Sequence, residues 1–230
     1  MTAPVRRGET IGITDEPGPA SGQFPLGTVH IVDDDEVLRT ALVRLCRSAG
    51  LHAIGHATAS EFLDGQAVGR PACILLDVRL GEQNGLAVQD AFREAGGTVP
   101  VVFLTGYGTI PMTVRAMRNG ATEFLTKPVE DDVLLNALRR ALAADLRASE
   151  DERAHAELGQ RLASLTPRER DVLGCAIGGL MNKQIAAELG ITQITAKVHK
   201  RHVMEKMSAR SLPDLVRIAG RLGIEATRRR

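Results

Sequence analysis

One six-residue stretch, Ala72-Cys73-Ile74-Leu75-Leu76-Asp77, limits the folds open to this chain more than any other. The run is too short for a helix and is apolar without alternation. That describes a strand buried on both faces in the middle of a parallel sheet. It runs straight into one carboxylate. In open parallel sheets ligands bind beyond the carboxyl ends of the strands, so Asp77 stands where chemistry would be done.

Other stretches repeat the pattern. Residues 28–32 form an apolar strand that stops at Asp33-Asp34-Asp35, residues 52–56 a weaker one, residues 99–104 one that ends at Thr105-Gly106, and residues 122–126 one that ends at Lys127-Pro128. Helical periodicity fills the intervals. Val37, Leu38, Ala41, Leu42 and Leu45 predict a helix with these on one face; Phe62 and Leu63 mark a short helix. Leu86, Val88, Ala91 and Phe92 mark a third, residues 111–119 a fourth, and Val133, Leu134, Leu135, Ala137, Leu138, Ala141 and Leu142 a fifth. Strands alternating with helices predict an α/β domain, a doubly wound five-stranded parallel sheet with right-handed crossovers.

The rest of the chain reads differently. Thr166, Pro167 and Glu169 spell a capped helix start, Gly190 suits a left-handed helix end, Thr192 caps a helix to about Lys206, and Ser211 caps another with Leu215, Val216, Ile218, Ala219 and Leu222. This predicts an all-α four-helix domain containing a helix-turn-helix. The expected division is a disordered leader over 1–27, the α/β domain over 28–145, a linker over 146–163 and the helical domain over 164–230. The linker is charged and Ala-rich, and the sequence leaves open whether it is helical or flexible.

Charge separates the two halves. Residues 1–150 hold 14 Lys/Arg and 19 Asp/Glu, a net of −5, whereas residues 151–230 hold 15 and 9, a net of +6. The acidic half suits cation chemistry and the basic half suits nucleic acid. Aromatic residues are only 3% of the chain, so stacking on bases is not its main device. Cys46, Cys73 and Cys175 have no paired or metal-like spacing and apolar neighbours, which implies buried free thiols in a reducing, cytoplasmic setting. No apolar run approaches the ~20 residues of a membrane span, so no membrane association is expected.

The strand ends gather Asp33, Asp34, Asp77, Thr105 and Lys127 on one sheet edge. Two carboxylates 4 Å apart cost about 4 kcal/mol at an effective dielectric of 20, so the cluster calls for a cation. An all-oxygen set suits Mg²⁺ (or Mn²⁺). A carboxylate, a divalent ion, a lysine and a hydroxyl together are equipment for moving a phosphoryl group onto Asp77.

Val29-His30-Ile31-Val32-Asp33-Asp34, Asp77, Thr105-Gly106 and Lys127-Pro128 resemble the receiver domain of two-component response regulators over residues 28 to about 145. The resemblance implies that Asp77 is the phospho-acceptor and that a histidine kinase is the donor. It implies metal ligation by Asp34, Asp33, Asp77 and the backbone carbonyl of Arg79, and reading of the phosphoryl group by Thr105 and Lys127. Phe124 falls at the aromatic switch position, and the Lys127-Pro128 bond is expected to be cis. Many receivers carry Pro where this chain has Gly81, and the glycine is expected to loosen that loop.

The helix over 193–206 is basic. Ile194, Val198 and Met204 are expected toward a core, with Gln193, Lys197, Lys200 and Arg201 outward or at its margin. That composition suits a recognition helix in a major groove. Residues 165–169, 179–186 and 195–199 resemble the LuxR-type helix-turn-helix, and with the receiver the chain is similar to the NarL/FixJ family of transcriptional regulators. The resemblance implies contacts to promoter double-stranded DNA from Lys183, Thr195, Lys197, Val198, Lys200 and Arg201. Met181 and Ala196 stand where Ser and Val are common in the family. Ser211 to Leu222 is either a homodimer surface or internal core, and Arg228-Arg229-Arg230 either a phosphate-binding or a solvated tail. The reading is a phosphorylation-switched transcription factor, not an enzyme, that dimerises or releases its DNA-binding domain on activation. Its rivals are a DNA-binding protein using the receiver only to dimerise, and an aspartyl-phosphate phosphatase.

Overall fold

The computed structural model describes residues 27–64, 69–81 and 83–227, so the leader expected before residue 27 and the arginines at 228–230 lie outside the described residues. The sheet strands are β1 (Thr28–Val32), β2 (His52–His56) and β3 (Ala72–Leu76). A two-stranded antiparallel hairpin follows, β4 (Arg79–Leu80) and β5 (Gln83–Asn84). The sheet is completed by β6 (Val101–Thr105) and β7 (Ala121–Thr126). Its order is β2-β1-β3-β6-β7, and it is parallel throughout, as the sequence predicts for a five-stranded sheet without fixing the order. The hairpin was not foreseen, because two-residue strands carry no periodic signal.

The central strand explains the layers. All five residues of β3 are buried. Cys73 and Leu75 point to one face, where they meet Leu42 and Cys46 of α1 (Glu36–Ser48) and Leu134, Leu138 and Leu142 of α5 (Asp131–Ala163). Ile74 and Leu76 point to the other, against Phe62 of α2 (Ala59–Asp64), Leu86 and Val88 of α3 (Gly85–Glu94) and Ala116 of α4 (Ile110–Arg118). Alternation with period two thus builds two cores from one strand. Each fully buried Leu or Ile contributes about 1.5–3 kcal/mol.

Two expectations for α1 are corrected. Val37 is 81% exposed and Ala41 is exposed. Asp35 caps the helix by accepting from the Val37 and Leu38 N–H groups, which sets the phase so that Leu38, Leu42, Leu45 and Cys46 face the sheet. Cys46, Cys73 and Cys175 are buried and free, and burial pushes the Cys46 thiol up to about 11.

Helix α5 settles the open question of the linker. It runs unbroken for 33 residues, so 146–163 is helical. Its middle is fastened to the start of β3. Asp145, 1% exposed, accepts from Arg70 Nη2 at 2.8 Å, Arg70 Nε at 3.0 Å and the Ala72 N–H at 2.8 Å, while Arg70 also reaches Glu152. At its end Leu162 packs on a third core, formed by α6 (Pro167–Ile177), α7 (Asn182–Leu189), α8 (Gln193–Lys206) and α9 (Leu212–Arg221). The predicted capping box is present, Thr166 Oγ1 accepting from Glu169 N and Glu169 Oε2 from Thr166 N. Gly190 closes α7 with φ of 66°. In α9 Leu215 and Ala219 are internal core while Val216 is 45% exposed. Among the described residues, no helix is long and apolar enough to cross a membrane.

Candidate functional site

Parallel strands deliver their carboxyl ends to one edge. There Asp33, Asp34, Asp77, Arg79, Gly81, Tyr107 and Lys127 line an open cavity of about 400 Å³. Lys127 Nζ lies 2.6 Å from Asp77 Oδ2 and 2.9 Å from Asp33 Oδ2, joining the two carboxylates across the edge. Asp33 is 3% exposed. Burial pushes its carboxyl up, and the Lys127 ammonium offsets part of that. Burial pulls Lys127 down, but its bonds to Asp77 and Asp33 outweigh burial and leave it above the usual lysine value.

The other oxygens are held by backbone donors. Asp33 Oδ1 accepts from Asp35 N at 3.0 Å, Asp77 Oδ1 from Arg79 N at 3.1 Å, and Asp34 Oδ2 from Gly81 N at 2.9 Å. Gly81 turns the β4–β5 hairpin at φ of 58°. The glycine therefore ties the loop to Asp34 through a donor that proline lacks. Three carboxylates on a partly open edge form an oxygen-only donor set, which fits Mg²⁺ or Mn²⁺.

Thr105 is not in the cavity wall. It is fully buried, its Oγ1 accepts from the Tyr107 N–H at 3.3 Å, and its carbonyl accepts from Lys127 N at 2.8 Å. Phe124 is half-buried against Phe103, ring centres 5.8 Å apart. The loop after Thr105 lies directly on it: a Cβ at Gly108 would meet Phe124 at 2.9 Å. Gly108, three residues after Thr105, thus sits against Phe124. The Lys127-Pro128 bond is cis, as expected.

Two contacts escaped sequence reasoning. Arg79 lays its guanidinium 3.5 Å from the Tyr107 ring centre, stacking the hairpin on the loop after β6 at the cavity mouth. Gly85 opens α3 hard against the strand end. Its N–H donates to Val78 O at 2.8 Å, and a Cβ there would meet Asp77 O at 2.1 Å.

The basic helix α8 packs through Ala196, Val203 and Met204. Ile194, placed toward a core by the sequence, is 77% exposed, and Val198 is 45% exposed. The physical reason is phase: Ala196 and Val203, seven residues apart on one helix face, pack into the core, which leaves Ile194 and Val198 on the other side. Lys197, Val198 and Arg201 consequently share the outer surface with Ile194, and Lys183 is exposed on α7. Lys200 is half-buried, Arg201 pairs with Glu205 at 2.7 Å, and Thr195 Oγ1 lies 2.8 Å from Thr192 Oγ1. Where Met181 replaces serine, α7 keeps half a capping box, Met181 N donating to Gln184 Oε1 at 2.8 Å.

Known proteins share both parts. The response regulator receiver domain family matches residues 29–139, and the luxR family of bacterial regulatory proteins matches residues 163–219. Nodulation protein W of Bradyrhizobium diazoefficiens is 44% identical over 86% of this chain and 87% of its own length. Transcriptional regulatory protein FixJ of Azorhizobium caulinodans is 40% identical over 85% of this chain and 93% of its own. The solved structure of response regulator StyR is similar with a TM-score of 0.79 and 42% identity, covering 84% of this chain and 98% of that one.

Proposed function

The chain belongs to the NarL/FixJ response regulators, phosphorylation-dependent transcription regulators that join a receiver domain to a LuxR-type DNA-binding domain, and from that premise we propose how its own residues run the switch. Asp77 accepts the phosphoryl group. One Asp77 oxygen attacks the phosphorus of a kinase phosphohistidine, the P–N bond breaks, and the imidazole leaves with the bonding pair. Lys127 Nζ, now on Asp77 and Asp33, carries the positive charge that the transferred group's oxygens need. Asp33, Asp34, Asp77 and the Arg79 carbonyl would hold Mg²⁺, which supplies further neutralisation of that charge.

The single observation carrying this reading is the convergence of Asp77, Asp33 and Lys127 within 3 Å contacts on an open strand edge. Thr105 moves from its buried position toward the phosphoryl group, and the loop lying on Phe124 moves with it. The adjoining surface, with Val114 44%, Met117 47% and Val133 48% exposed, then pairs two chains. Lys183, Thr195, Lys197, Val198, Lys200 and Arg201 contact promoter DNA, the cations on phosphates or guanine edges.

The test is phosphate incorporation from a small acyl-phosphate donor in Mg²⁺, followed by mass spectrometry and sizing. One phosphoryl group, absent in Asp77→Asn and without divalent ion, with a monomer-to-dimer shift and tighter promoter binding, is the expected result. Labelling of Asp77→Asn at the wild-type rate would overturn the assignment.

A further inference from the structure

Three side chains of metal-ligand type converge away from the strand-edge pocket. Glu169 on α6 and His199 and His202 on α8 place one carboxylate oxygen and two imidazole nitrogens within 4.8 Å of one another. The histidines are three residues apart, so they share a helix face. Glu169 is 3% exposed. Its Oε2 already accepts from Lys206 Nζ at 2.6 Å and from Thr166 N at 2.9 Å. Its Oε1 faces His202 Nδ1 at 3.6 Å, too long for a hydrogen bond. Two donors ~2.0–2.1 Å from a tetrahedral zinc would stand about 3.3 Å apart, close to this separation. An independent observation points the same way: His199 Nδ1 is buried with no hydrogen-bond partner among the described residues. Buried polar atoms without partners are uncommon, and a metal ion is one occupant that would satisfy this one.

We propose that Glu169 Oε1, His199 and His202 form a transition-metal site that takes Zn²⁺, with water completing the tetrahedron. Two imidazoles and one carboxylate are donors for late first-row ions, whereas Mg²⁺ prefers oxygen alone, so this site and the acidic pocket select different metals. Because only Oε1 is needed, the Thr166 cap and the Lys206 ion pair survive loading. The ion would lock α8 to α6 one residue from Arg201, and would add positive charge beside the residues proposed to meet phosphates. The metal site itself stands whether or not those DNA contacts are correct.

The test uses the full chain, stripped of metal and held in excess Mg²⁺ to keep the acidic pocket filled. Co²⁺ is titrated while visible absorption is followed, and Zn²⁺ is then added in competition. One equivalent of Co²⁺ giving the intense band of a four-coordinate ion, bleached by one equivalent of Zn²⁺, is expected. His202→Asn changes a side chain 47% exposed, so the fold is retained, as its melting temperature would verify. It should abolish the band and weaken Zn²⁺ by about tenfold or more. Asp34→Asn and His56→Asn should leave both unchanged. A band that persists in His202→Asn, that is lost instead in His56→Asn, or that never forms would overturn the proposal.

Discussion

Replacing Gly85 with alanine is expected to injure both stability and phosphoryl acceptance, though Gly85 carries no functional group. Its Cβ would stand 2.1 Å from the Asp77 carbonyl oxygen, 3.0 Å from the Asp77 carbonyl carbon and 3.0 Å from Val78 Cα. All three are backbone atoms, so no rotamer change relieves the clash. An ordinary contact requires roughly 1 Å more room, and forced overpacking of this kind costs about 1–3 kcal/mol. The Gly85 N–H bond to Val78 O, 2.8 Å long, is strained by the same movement. The strand end must shift, taking Asp77 from its 2.6 Å contact with Lys127. A misplacement near 1 Å costs on the order of 100-fold in rate. Urea unfolding should therefore show a loss of about 2 kcal/mol, and labelling by a small phosphodonor should slow about 100-fold in the protein that remains folded. Wild-type stability together with a wild-type labelling rate would refute the argument that Gly85 sets the position of Asp77.

His30 predicts a pH dependence. Its Nδ1 lies 3.1 Å from His56 Nε2, and burial, with the charges of His56 and His52, pulls it down to about 4. The unfolded chain then binds more protons between pH 6.5 and 4, so stability should fall on acidification through that window, by on the order of 1 kcal/mol once solvent screening at this half-buried ring is allowed for. His30→Leu should flatten that part of a urea-midpoint profile. Gly81→Ala should cost about 1 kcal/mol because φ is 58°, and Gly81→Pro more, since it also removes the donor to Asp34; equal urea midpoints for the two variants would contradict this. Lys197→Ala should weaken binding to all DNA sequences alike and lower the salt slope by about 0.9, measured by anisotropy at several salt concentrations.

The sheet and its edge were legible because buried parallel strands are continuous apolar runs, and because Asp33, Asp77 and Lys127 interrupt them at chemically conspicuous points. Helix ends were legible where side chains cap them, at Thr166, Thr192 and Ser211. What escaped was rotational phase. In α8 the apolar residues Ile194 and Val198 look like a stripe, but Ala196 packs inward with Val203, and a small residue gives little signal of burial. The donor role of Gly81 leaves no trace in the sequence, because its work is done by a backbone N–H, which every residue but proline has. Glu169 was read as a cap alone, since the approach of His199 and His202 from α8 depends on tertiary packing.

Helix α5 spans the whole interval between the two family matches, residues 140–162, without a break. A helix advances about 1.5 Å and turns about 100° per residue, so the interval behaves as a geared shaft. Changing its length changes angular phase far more than reach. One added residue past Glu152 would rotate everything beyond it by about 100°, whereas seven would bring it back to within about 20°. Relatives with longer or shorter versions of this helix should therefore differ by about seven residues more readily than by two.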